Sequence, residues 1–100
     1  MSDELEAFID KSIIRSSKKG YVPFDFLKMR KRWTTKGAIE RLVPSGDLQT
    51  NFLKLRDLDM LDWTLEAAVL RFPELFSRQM QEAARFRLRQ AGWTGDTPTE

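Results

Sequence analysis

Hydrophobic positions recur along this chain at three- and four-residue steps, the period of an α-helix, and nowhere alternate long enough to make a strand. Leu5, Phe8, Ile9 and Ile13 mark the first stripe. Ser2 is its expected N-cap, Asp3, Glu4 and Glu6 suit its positive end, and Lys18, Lys19 and Gly20 suit its close. A second helix enters at Pro23, where the missing N–H costs nothing, and buries Phe26, Leu27, Met29 and Trp33. A short third helix follows Thr35 on Ala38, Ile39 and Leu42, and Pro44-Ser45-Gly46-Asp47 is a turn by residue chemistry. Leu48 to Arg56 forms the next helix on Phe52 and Leu55, with a tight connection over Asp57 to Leu61. Asp62 or Thr64 caps a helix running to Leu70, and Pro73 starts another turn. The last helix is the clearest. Ser77 caps it, Met80, Ala84, Leu88 and Ala91 line one face, Gly92 ends it, and Trp93 folds back on Leu88.

This pattern predicts an all-α fold: a compact bundle of five to six short helices in a single domain over residues 1–93, with 94–100 as a disordered polar tail. One hundred residues suffice for one modest core, and 41% apolar content suits it. No apolar run reaches the ~18–20 residues that span a membrane, and the acidic Met1-Ser2-Asp3-Glu4 start is unlike a signal peptide. The chain holds no cysteine, which fits a reducing compartment. Together these predict a cytoplasmic protein without a membrane partner.

The same composition argues against an enzyme. Histidine is absent, as is cysteine, so the usual general base, the thiol nucleophile and the commonest metal ligands are missing together. The five glycines are scattered singly, leaving no phosphate-cradling loop, and no cofactor or small-molecule substrate is suggested. Asp57, Asp59 and Asp62 form the densest acidic group. They have the donors for a hard cation, but capping and solvent exposure account for them, and no metal site is expected.

Charge changes the picture more. The net +2 conceals a segregation: residues 1–10 carry −4, 11–41 carry +8, 42–76 carry −3 and 77–92 carry +3. Lys28, Arg30, Lys31 and Arg32 lie beside Trp33 and near Tyr21, an electrostatic footprint with an aromatic at hand. Against this, near-consecutive bases spread around a helix instead of forming a stripe, and a tryptophan such as Trp33 is more often core than a stacking platform. Arg78, Arg85 and Arg89 share a side of the last helix, with Glu82 placed to pair with Arg85. A nucleic-acid surface built from Lys28, Arg30, Lys31, Arg32, Arg85 and Arg89 is therefore one functional expectation. The other is a protein-interaction module with Phe24, Trp63 and Phe72 in an exposed aromatic patch, since Phe24 and Phe72 fall outside the apolar stripes. A helix-turn-helix reading of residues 35–56, with Gln49, Thr50, Asn51 and Lys54 facing a groove, is disfavoured because Asp47 and Asp57 bracket that helix.

Tyr21-x-Pro23-x-x-Phe26-x-x-Met29, Leu61-Asp62-x-Thr64-x-Glu66-x-x-Val69-Leu70, Pro73-Glu74-x-Phe76 and Ala84-Arg85-x-Arg87-Leu88 together resemble an uncharacterised family of small bacterial helical domains. The resemblance spans about residues 21–92 and implies an accessory module, alone or attached to other domains, with no activity to carry over. Lys31-Arg32-Trp33 departs from it where the pattern has a glycine-containing turn, and Met80 where it has a capping-box Glu. The matched positions read as structural, with Glu66 as a first-turn acid that has a lesser claim to function.

Overall fold

A computed structural model describes residues 3–44 and 49–93 of the chain. The expected cap at Ser2, the turn through Ser45, Gly46 and Asp47, the start at Leu48 and the tail 94–100 lie outside the described residues. The rest forms five α-helices and two 3₁₀ turns: α1 (Asp3–Lys18), α2 (Phe24–Leu42), α3 (Gln49–Asp57), a turn at Leu61–Trp63, α4 (Leu65–Arg71), a turn at Pro73–Leu75 and α5 (Arg78–Gln90). No strand is present among the described residues. The fold is the expected compact all-α bundle, with a Cα radius of gyration of 12.1 Å, against about 13 Å for a compact chain of this length.

Local chemistry sets most of the helix ends. Gly20 and Gly92 both sit at φ +92°, the left-handed conformation that costs a glycine little. After each, the chain closes back on its helix: Tyr21 N–H donates to the Ser16 carbonyl at 2.9 Å and Trp93 N–H to that of Leu88 at 2.9 Å. Thr64 caps α4 by accepting from Ala67 N–H at 3.1 Å, and Ser77 caps α5 by accepting from Met80 N–H at 3.2 Å. Asp62 does not cap. Its carboxylate accepts from the Trp93 indole Nε1–H at 2.6 Å, tying the end of α5 to the first turn.

The expected break between a second and third helix is a kink inside α2. Thr34 stands at φ 76°, ψ 168°, a region populated almost only by glycine. Its hydroxyl accepts from Gly37 N–H at 3.2 Å and so restarts the helix, one residue earlier than the sequence suggests.

α4 is the centre of the molecule. Leu65, Glu66, Ala67, Ala68 and Val69 are all buried, so this helix has no polar face over those turns. On one side it packs into a core made of Leu5, Phe8 and Ile9 from α1, Phe26, Ala38 and Ile39 from α2, and Met80 and Ala84 from α5. On the other, Ala67 joins Phe52 and Leu88, with Leu53, Ala91 and Trp93 against them.

Three aromatic expectations change here. Phe72 is only 8% exposed and belongs to the core, because the chain turns inward after α4 and sets its ring edge-on to Phe8 at 6.0 Å. Trp63 is half-buried, stacked on Phe8 at 4.9 Å, with the Arg15 guanidinium 4.6 Å from its ring centre. Trp33 is also half-buried, where the periodicity alone placed it in the core stripe. Arg41 and Arg32 lie 4.3 and 4.7 Å from its ring centre, so its π-system is already engaged.

Candidate functional site

The basic residues of the sequence do not form one set. Arg30 is turned inward, its side chain only 20% exposed, and its Nη2 meets Glu6 Oε1 at 2.6 Å and Asp10 Oδ1 at 2.7 Å. Its Nε–H donates to the Thr35 hydroxyl at 2.7 Å, which in turn donates to Glu6 at 2.7 Å. Burial alone would raise the Glu6 carboxyl, but the hydrogen bonds from Arg30 and Thr35 and the Arg30 charge leave it below its ordinary value. Arg30 therefore fastens α1 to α2 and is withdrawn from any phosphate-binding set. Lys28, Lys31 and Arg32 remain exposed on α2, and Arg85 and Arg89 on α5. Glu82 pairs with Arg78 at 3.5 Å, one turn away, instead of with Arg85. Arg85 and Arg89 form no ion pair with any described residue.

The aromatic residues separate too. Phe24 is 67% exposed, as the sequence suggests. With Phe72 in the core and Trp63 stacked on Phe8, the three do not form an open patch. The exposed aromatic that periodicity could have revealed is Phe86, 66% exposed on α5. It lies two residues from Ala84 and two from Leu88, both buried, and about 200° around the helix from each. An aromatic on the polar face of an otherwise clear amphipathic helix was the available signal.

Phe86 forms one wall of a groove between α3 and α5. This groove encloses about 370 Å³ and is lined by Phe52, Leu53, Arg56, Ala83, Phe86, Arg87, Gln90 and Ala91. α3 supplies Phe52, itself a core residue at the floor of the groove, and the half-buried Leu53. α5 supplies the opposite wall. Its small residue Ala83, one turn before Arg87, leaves the space that a larger side chain would fill.

Behind the groove lies the only pairing of a fully buried charge among the described residues. Glu66 is 0% exposed, and its Oε2 accepts from Arg87 Nη1 at 2.6 Å. Its other oxygen, Oε1, is buried with no partner. Burial pushes this carboxyl above its ordinary range, and the hydrogen bond and charge of Arg87 pull it back only in part. Arg56, on the other wall, reaches Asp57 at 3.2 Å and stays half-exposed.

Asp57, Asp59 and Asp62 do not come together as a cluster: among the described residues no three His, Cys, Asp or Glu side chains are grouped as metal ligands would be. Asp59 instead sits at φ 61°, turning the chain between α3 and the first 3₁₀ turn. No helix among the described residues is long and apolar enough to cross a membrane.

The fold and this geometry define a small all-α protein with an aromatic-walled groove flanked by arginines. No protein-family model, curated protein or solved structure matches the chain. The resemblance over residues 21–92 accordingly assigns no family.

Proposed function

We propose that this protein is a non-catalytic binding module that receives an acidic, apolar segment of another protein in the α3–α5 groove. The observation that carries this reading is Phe86. A large aromatic with two-thirds of its surface in solvent adjoins a cavity lined by Phe52, Leu53, Ala83 and Ala91, and contiguous apolar surface of that kind marks an interaction site where a lone exposed ring does not. Aromatic anchors in concave apolar sites are where protein–protein binding energy concentrates. The surrounding charge selects the partner. Arg85 and Arg89 flank Phe86 on its own helix, and Arg56 and Arg87 line the groove, so a segment rich in Asp and Glu is favoured over a basic one. The segment fitting such a surface is an amphipathic helix with apolar anchors at i and i+4.

The nucleic-acid reading is weaker, because Arg30 is consumed in ion pairs and the Trp33 ring is occupied by arginines. A selection of random peptides displayed on phage against the full chain separates the two readings. The expected enrichment is for Leu, Phe or Trp anchors interspersed with Asp and Glu. Enrichment of basic or purely polar peptides contradicts the reading. So does salt-sensitive binding of labelled duplex or single-stranded DNA at about 50 mM salt that is lost on neutralising Lys28, Lys31 and Arg32.

A further inference from the structure

We infer that Arg87 is the specificity residue of this groove: held from behind by buried Glu66, it presents its remaining guanidinium donors to a carboxylate of the bound segment. This deepens the groove reading and rests on it. A guanidinium has five N–H donors in a planar fork. Glu66 occupies Nη1 at 2.6 Å, and no other described residue takes a hydrogen bond from Arg87. The same side chain lines the groove while being only 19% exposed. It is therefore a cation fixed in place and partly desolvated, with donors to spare at the edge of an apolar cavity. Those are the conditions under which a charge-assisted, bidentate contact gains over its solvated alternative.

The local charges agree with a carboxylate ligand. Facing the groove are Arg56 and Arg87, with Glu66 behind Arg87 and Asp57 beside Arg56. Those two acids balance the two cations, and Arg85 and Arg89 on the flanking face of α5, which pair with no described residue, add the positive excess. Glu66 acts here as a positioning residue. It orients the fork through one oxygen and contacts no ligand itself. The ligand this arrangement selects is an apolar side chain with a carboxylate close beside it, as in a Phe or Leu one helical turn from an Asp or Glu, or at a C-terminus.

Two fragments of equal shape test this. The full chain, labelled with ¹⁵N, is titrated at neutral pH with 3-phenylpropionate and with its neutral isostere 3-phenylpropanamide, reading amide shifts. Both are expected to move resonances of residues 52–56 and 83–91, with the carboxylate binding about fivefold tighter, the scale of a partly exposed charge-assisted contact. That preference is expected to vanish in Arg87→Gln. The paired substitution Glu66→Leu with Arg87→Met removes both charges together and guards against a variant that fails to fold. In Glu66→Asp, which keeps both charges but shortens the reach of the carboxylate that fixes Arg87, the preference is expected to shrink although Arg87 is intact. Equal binding of the two fragments overturns the Arg87 assignment and leaves the groove standing. No shift at the groove with either fragment overturns both.

Discussion

Glu66 is the residue whose chemistry most constrains this molecule. Taking a carboxylate fully out of water costs several kcal/mol, and one ion pair with an unpartnered second oxygen repays only part of that. The linkage follows from the raised carboxyl. The folded state holds the proton more tightly than the unfolded chain, so stability from this group falls as pH rises from its ordinary 4.5 through the raised value. Glu6 has the opposite sign. Its lowered carboxyl contributes stability above 4.5 that is lost as pH falls through its folded value. Urea melts over a pH series are expected to show the wild type losing stability relative to Glu66→Gln as pH rises above about 4.5. Relative to Glu6→Gln, it should lose stability as pH falls below that point. A Glu66→Gln difference that is flat with pH contradicts the burial of a charge at this position. Neither pair was legible in the sequence. Glu66 and Arg87 stand 21 residues apart, and Arg30 and Glu6 stand 24 apart. Residue type alone does not say which of many charges the packing will bring together.

Element ends were legible because their causes are local. Ser77, Gly20 and Gly92 act on backbone groups within a few residues, and the stripe of Met80, Ala84 and Leu88 follows from the helical period alone. The break after Trp33 was visible as a change of stripe, but its geometry was not. Nothing about a threonine announces φ 76°. That conformation costs a β-branched residue about 1–3 kcal/mol, offset by the Glu6–Arg30–Thr35 network that fixes the next residue in the chain. Thr34→Gly relieves the strain, loses a few tenths of a kcal/mol at the cap and adds unfolded-state entropy. The expected outcome in urea melts is a gain of about 1 kcal/mol. A loss of similar size would mean that the kink is not held as described. Phe72 failed as an expectation for a related reason. It follows a helix whose stripe has ended, and only the inward path of the second 3₁₀ turn buries it.

At the scale of the whole molecule, folding sorts the segregated charge of the sequence into two uses. Part of it becomes mortar: Arg30 joins α1 to α2, Arg87 joins α5 to α4, and Lys19 donates to the Leu58 carbonyl at 2.8 Å to hold the end of α1 against the chain after α3. Of the charge that stays outside, Arg85 and Arg89 on α5 flank Phe86 and the groove, while Lys28, Lys31 and Arg32 lie exposed on α2. Under the proposed function, Phe86 is an anchor of the groove and not merely an exposed ring. Phe24 supplies a matched control, being 67% exposed against 66% and placed away from the groove lining. The most direct measurement is the affinity of a library-selected acidic peptide for the wild type, Phe86→Ser and Phe24→Ser, read by fluorescence anisotropy. Phe86→Ser is expected to weaken binding by about tenfold or more, the scale of losing one interface anchor, while Phe24→Ser leaves it unchanged. Equal effects, or loss at Phe24 alone, would contradict the assignment of the α3–α5 groove as the docking surface.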